Sequence, residues 1–191
     1  SNLDANLRIQ MRRDILELQR ELKLTTIFVT HDQEEALFLG DQIAVMNQGR
    51  IEQVDSPERI FHRPATPFVA RFMGAADFLS TTVDGEVLVT ELGVLPRPVD
   101  VEAHDEVEVM VRPDDISIRL DESSEAIVVD RVFKGANYLY QVRLPSGAVL
   151  HSMMEHFVTY EIGSRVSVRI DPDHALMCFV NGRIQPIPLT G

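Results

Sequence analysis

His31 lies where an apolar run of the sequence ends and a helix is predicted to begin. The run Thr25–Thr30 is rich in β-branched and apolar residues, which predicts a strand that is buried on both faces. Asp32 and Glu35 have the spacing of a capping box, so a helix is predicted to start there. An imidazole at the carboxyl end of a strand can hydrogen-bond a phosphate group or a water molecule that attacks it. A histidine in this position is also often a packed or surface residue, so the residues alone leave both interpretations open.

The segments around His31 are predicted to alternate between helix and strand. Apolar spacings of four and three predict a helix over about residues 5 to 23, and we expect its apolar stripe to pack in the core. The stripe consists of Leu7, Met11, Ile15, Leu18 and Leu22. The helix after Asp32 is predicted to end at Gly40. Strands at 43–46 and 51–54 flank a tight turn, and Ser56 is predicted to cap the next helix.

From about Phe78 the pattern changes to short strands of alternating residues, separated by turns. The predicted strands lie at 107–111, 116–118, 128–133, 138–144 and 166–170. The motifs Val83-Asp84-Gly85-Glu86 and Pro145-Ser146-Gly147 are typical of turns. This part of the chain is therefore predicted to form an all-β, OB-like barrel.

Several short motifs resemble, in the expected order, the ATPase subunits of ABC transporters. The likeness is to the importer branch that includes the maltose, polyamine, sulfate and ferric-iron systems. Residues 29–36 resemble the switch-histidine motif, and residues 1–5 resemble the D-loop. Further likeness to the ATPase domain lies at 46–53, 56–61 and 68–74, and likeness to the TOBE regulatory domain lies at 111–116 and 133–140.

The resemblance implies a fold class: an α/β remnant of a P-loop ATPase domain at residues 1–74, followed by an all-β OB-like (TOBE) barrel at residues 75–191. It assigns His31 to contact the γ-phosphate of ATP and the attacking water. It assigns Asp4 to a D-loop that communicates across a dimer interface. The resemblance further implies a homodimer that works with membrane permease subunits and a solute-binding protein. Such a subunit lies at the cytoplasmic, inner face of the cell membrane.

The sequence contains no G-x-x-x-x-G-K-[ST] phosphate loop, no ABC signature and no acidic Walker B strand. The backbone amides and the lysine that hold the β- and γ-phosphates therefore do not come from these 191 residues. We expect the chain to be the C-terminal part of a longer subunit and to be inactive alone. ATP and Mg²⁺ are then expected in the full-length protein, with neither bound to this fragment and no metal ligand assigned in it. The transported solute is not encoded here.

Charge and composition exclude other classes of function. Residues 1–74 contain 9 Lys and Arg against 11 Asp and Glu, whereas residues 75–191 contain 9 against 19. An acidic second half disfavours binding to nucleic acid, which requires a positive surface, and the chain has no Trp for base stacking. Cys178 is the only cysteine, so no disulfide forms within the chain, and we expect it to be buried. No apolar run is long enough to enter a membrane directly.

One alternative function remains open, a small-ligand or oxyanion-sensing β-barrel binding module. Arg131, Lys134 and Asn137 lie near one predicted turn and could contribute to such a site. They do not form a cluster dense enough to predict it.

Overall fold

The computed structural model describes residues 5–172 and 174–188. Asp4, the predicted D-loop residue, lies outside the described residues. The chain divides into two compact units, Ser1–Pro64 and Ala65–Gly191. The division comes before the predicted boundary at residues 74 and 75 because Ala70 packs in a cluster with Met110, Met177 and Phe179 of the second unit. The assignment of 1–74 and 75–191 to two functional domains stays a prediction.

The first unit contains helices and one hairpin. Its elements are α1 (Ala5–Leu22), α2 (Gln33–Leu39), β1 (Ile43–Asn47), β2 (Arg50–Asp55) and α3 (Pro57–His62). No helix in the described part of the chain is both long and apolar enough to cross a bilayer.

Helix α1 forms where the apolar spacing predicts it, and it ends at Leu22, directly before Lys23, which has a φ of 51°. Its apolar stripe, typical of core packing, does not pack in a core in this structure. Leu7, Met11, Leu18 and Leu22 are 43–56% exposed. Within the described residues of this unit, the sheet is a two-stranded hairpin, so it offers little apolar surface to cover an 18-residue helix.

The predicted strand at Thr25–Thr30 is not present, and the segment from Leu24 to Thr30 has no regular secondary structure. Ile27 and Val29 are 88% and 94% exposed, so the prediction of burial on both faces was also wrong. A strand is stabilised by ladder hydrogen bonds to its neighbours, and the hairpin strands pair with each other instead. The α/β part of the predicted fold class is therefore not clearly present in the described residues.

The hairpin and the helix after it form as predicted. Strands β1 and β2 pair antiparallel, with Gln48 and Gly49 both at positive φ (47° and 77°), as a tight two-residue turn requires. Ser56 caps α3 by accepting a hydrogen bond from the backbone of Arg59, and a proline follows at the start of the helix. Local sequence signals therefore fix this end of the first unit.

The second unit is mostly β-sheet, as predicted. Its elements are α4 (Pro67–Phe72), β3 (Asp77–Ser80), β4 (Thr82–Asp84), β5 (Val87–Thr90), β6 (Gly93–Pro96), β7 (Val107–Val111), β8 (Ile116–Leu120), β9 (Ile127–Phe133), β10 (Asn137–Arg143), β11 (Val149–Glu155), β12 (Val166–Ile170), β13 (Met177–Val180) and β14 (Arg183–Pro186). A short 3₁₀ turn, Pro113–Asp115, lies between β7 and β8. The five strands predicted from about residue 107 onward all occur.

All strand pairs of this unit are antiparallel. The sheets have the orders β11-β10-β9, β12-β8, β14-β13-β7-β3 and β4-β5-β6. One apolar core joins these sheets, with Leu88, Val109, Ile118, Val128 and Tyr140 fully buried in it. The β-rich class is therefore confirmed, while closure into an OB-like barrel stays a prediction.

Candidate functional site

His31 lies on the exposed segment that leads into helix α2. The next residue, Asp32, is the N-cap of this helix. Its Oδ1 accepts hydrogen bonds from the backbone N–H groups of Glu34 (2.9 Å) and Glu35 (3.2 Å). The helix therefore starts at the predicted point, directly after the histidine.

The predicted capping box forms, but the hydrogen bond made by its second carboxylate differs from the usual one. In the usual arrangement the carboxylate at the third helical position accepts from the backbone of the cap residue. Here the carboxylate of Glu35 accepts from the hydroxyl of Thr30 (Oγ1 to Oε2, 2.8 Å), and that hydroxyl accepts from the backbone N–H of Asp32 (3.0 Å). Thr30 thus stands between the two members of the box, and it precedes His31 in the chain.

A third side chain completes this arrangement from helix α1. One guanidinium nitrogen of Arg12, Nη2, lies 3.2 Å from Oδ2 of Asp32 and 3.1 Å from Oε1 of Glu35. The Arg12 side chain is only 15% exposed. The hydrogen bond from Thr30 and then the guanidinium of Arg12 hold the pKa of Glu35 below its ordinary value.

No local sequence pattern identifies Arg12 or Thr30 as members of the site. Arg12 is separated from Asp32 by 20 positions in the chain, and no local pattern links the two. Charge spacing on α1 identifies pairs three or four residues apart, so it gives no signal for a contact at this separation.

The His31 side chain is exposed, and among the described residues it has no hydrogen bond to the protein. Both ring nitrogens are therefore free to bind an external group. An imidazole in this state can donate to a phosphate oxygen or accept from a water molecule. His31 is thus exposed, while its two neighbours, Thr30 and Asp32, are hydrogen-bonded.

Helix α2 ends at Gly40, as predicted, although this glycine has an extended backbone with φ of −87° rather than a left-handed one. Glycine is needed here for space. A Cβ atom would lie 3.0 Å from the carbonyl oxygen of Gln42 and 3.1 Å from that of Ala36. The close approach fixes the end of the helix that begins beside His31.

Arg131, one of the residues considered for an anion site in the β-rich unit, is engaged by protein oxygens. Nη1 of Arg131 donates to the carbonyl of Tyr160 (3.0 Å) and to the carboxylate of Glu161 (3.2 Å). Lys134 and Asn137 close a turn through the backbone, with Lys134 N–H donating to the Asn137 carbonyl at 2.8 Å. The guanidinium therefore already binds protein oxygens.

Cys178 is fully buried in β13, as predicted. Burial raises the pKa of its thiol to about 11, so the nucleophilic thiolate is disfavoured. Across residues 5–172 and 174–188 no three His, Cys, Asp or Glu side chains are grouped so that they could hold a metal ion.

Part of the β-rich unit matches a known domain family. Residues 109–177 match the TOBE domain family. A cytoplasmic molybdate-binding protein, ModG, solved with molybdate bound, matches 59% of this chain and 96% of its own with a TM-score of 0.41 and 15% identity. A structural likeness this low carries no argument about ligand.

Comparison with curated proteins extends to most of the chain. It is 40% identical over 160 residues to a spermidine/putrescine import ATP-binding protein of Oleidesulfovibrio alaskensis, covering 76% of this chain and 43% of that protein. It is 38% identical over 172 residues to a sulfate/thiosulfate import ATP-binding protein of Xylella fastidiosa, covering 90% and 49%. It is 37% identical over 175 residues to an Fe(3+) ions import ATP-binding protein of Escherichia coli, covering 90% and 50%. The chain spans about half the length of the curated relatives it matches.

Proposed function

We propose that this chain, a relative of the ATP-binding subunits of ABC importers with a TOBE domain at residues 109–177, supplies the switch histidine of such a subunit. The observation that carries the proposal is the state of His31. Its side chain is exposed, and the described residues give it no hydrogen bond, while Thr30 and Asp32 on either side are both hydrogen-bonded. This arrangement suits a group that contacts a ligand from a fixed backbone.

In this function ATP is the substrate, and His31 contacts the γ-phosphate and the attacking water. A positioned imidazole can orient the water and stabilise charge on the phosphate oxygens. Mg²⁺ neutralises phosphate charge when it is bound, but the described residues form no three-ligand group for it. The general base, the metal ligands and the phosphate loop are assigned to the part of the subunit that these 191 residues do not include. The chain alone is then not expected to hydrolyse ATP.

The partners follow from the same proposal. The subunit forms a homodimer with Asp4 in its D-loop, couples to membrane permease subunits at the cytoplasmic face of the membrane and serves a solute-binding protein. Nucleic acid is not a partner. The relatives are named for three unlike solutes, a polyamine, an oxyanion and a ferric ion. This range supports a function in which other subunits select the solute.

The test is His31→Ala in the full-length subunit. We expect ATP to bind with nearly unchanged affinity while hydrolysis falls about 10²-fold, because one positioned polar group is removed from the reacting phosphate. The control is His104→Ala, which removes an imidazole whose side chain is 81% exposed in the other unit. Hydrolysis by His31→Ala near the rate of the His104→Ala control would show that His31 is not part of the site.

A further inference from the structure

A closed ring of contacts joins helix α1 to the start of α2. It consists of Arg12, Thr30, Asp32 and Glu35. Arg12 contacts Asp32 and Glu35, Glu35 accepts from Thr30, and Thr30 accepts from the backbone N–H of Asp32. The ring therefore includes the residues immediately before and after His31. Its contacts range from 2.8 to 3.2 Å.

The contact of Arg12 is separate from the capping of α2. Asp32 caps the helix with Oδ1, whereas Arg12 contacts Oδ2. Glu35 uses Oε1 for Arg12 and Oε2 for Thr30. Each carboxylate thus has one oxygen for the local turn and one for the guanidinium. The cap bonds do not involve Arg12, and among the described residues Arg12 is the one side chain of α1 that hydrogen-bonds this ring.

The charges of Arg12, Asp32 and Glu35 also favour the contact between this ring and α1. Asp32 and Glu35 lie close enough for the negative charge of Asp32 to oppose ionisation of Glu35, and Arg12 offsets this effect. Without the cation, the two neighbouring carboxylates of Asp32 and Glu35 repel each other. The backbone at residues 30–32 would then lose the restraint that holds it against α1.

We propose that Arg12 is a positioning residue, which fixes the backbone of His31 through its contacts with Asp32 and Glu35. The inference rests on the proposed function in one respect: the positioned backbone places the imidazole correctly at the γ-phosphate. The positioning itself is a property of this chain and is measurable without nucleotide.

The first experiment measures backbone order by NMR relaxation in this chain, for the wild type and for Arg12→Met. We expect the amide order parameters of residues 30–32 to fall from about 0.85 toward about 0.6 in Arg12→Met. The matched control is Arg13→Met, which changes the exposed neighbouring arginine on the same helix. Arg12→Lys should restore part of the order, since one ammonium group keeps the charge but lacks the fork of the guanidinium.

Thr30→Val tests the ring at a second point and keeps the measurement decisive if Arg12→Met does not fold. This variant removes the hydroxyl that joins Glu35 to the backbone of Asp32, and it changes no charge. Loss of order at residues 30–32 in a folded Thr30→Val chain supports the proposal. Unchanged order in a folded Arg12→Met chain, unchanged order in Thr30→Val where Arg12→Met does not fold, or an equal loss in Arg13→Met, overturns it.

The second experiment measures ATPase kinetics in the full-length subunit. Arg12→Met should lower kcat with little change in KM for ATP, and adding it to His31→Ala should cause no further loss. Additive losses would show that Arg12 acts other than through His31. If His31→Ala itself hydrolyses ATP normally, the proposed function fails, while the NMR result still decides whether Arg12 orders the segment.

Discussion

The hydroxyl of Tyr140 on strand β10 makes two backbone hydrogen bonds, one with Tyr160 and one with Val158. It donates to the carbonyl of Val158 at 3.1 Å and accepts from the backbone N–H of Tyr160 at 3.0 Å. The two tyrosine rings also pack with their centroids 5.6 Å apart. Because Tyr140 is fully buried, no other donor or acceptor replaces its hydroxyl easily.

Tyr140→Phe should therefore lower the free energy of unfolding by about 1–3 kcal/mol, because it leaves a backbone N–H and a carbonyl without their partner. Urea unfolding followed by circular dichroism measures this loss. Tyr138→Phe is the control, since the described residues give the Tyr138 hydroxyl no hydrogen bond. An equal effect of the two variants would show that the Tyr140 hydroxyl contributes nothing specific.

The buried carboxyl group of Asp115 should make the stability of the protein depend on pH. It is 3% exposed, it accepts from the backbone N–H of Arg112 at 2.7 Å, and burial raises its pKa above the ordinary value of 3.8. The folded state therefore holds this proton more tightly than the unfolded state. Its stabilising contribution is complete below pH 3.8 and is lost as the pH rises through the higher folded pKa.

Asp115→Asn removes this titration and keeps an oxygen that can accept from Arg112. We expect the free energy of unfolding of Asp115→Asn minus that of the wild type to increase as the pH rises above the ordinary carboxyl pKa of 3.8. Urea unfolding at a series of pH values measures this difference. The control is Glu122→Gln, which neutralises an exposed carboxylate. A constant or decreasing difference for Asp115→Asn would contradict the prediction.

Cys178 provides a chemical probe of the β-rich unit. Its thiol is buried and has a pKa of about 11, so we expect a thiol reagent at about pH 8 to react only when the unit opens. Modification of the native chain should be slow, and denaturant should make it fast. Tyr140→Phe should speed it in proportion to its loss of stability. Rapid complete labelling of the native protein would show that Cys178 is accessible.

The exposed stripe on α1 predicts self-association. Leu18 and Leu22 are 55% and 56% exposed, and each leucine that becomes fully buried contributes about 1.5–3 kcal/mol. We expect sedimentation velocity to show concentration-dependent association of the chain. Leu18→Lys combined with Leu22→Lys should weaken it more than about tenfold. Glu17→Lys, which adds charge at an exposed polar position, is the control, and equal effects of the two changes would assign the association to charge.

Most local structure was determined by the sequence alone. Asp32 and Ser56 cap helices through backbone groups two or three residues away, and Gln48-Gly49 sets the hairpin turn. Five strands between Val107 and Ile170 form where the sequence predicts them. These signals act over a few neighbouring residues, so reading the chain locally is sufficient. They also located His31 directly before a helix.

Tertiary structure alone decided the contacts between distant parts of the chain. The run Thr25–Thr30 has the composition of a buried strand, but a strand also needs neighbours to accept its ladder hydrogen bonds, and the described residues provide none. Arg12 approaches Asp32 and Glu35 only after α1 and α2 are placed side by side. The sequence therefore identified His31 and the helix that follows it. Only the packing of α1 beside α2 brings Arg12 into contact with Asp32 and Glu35.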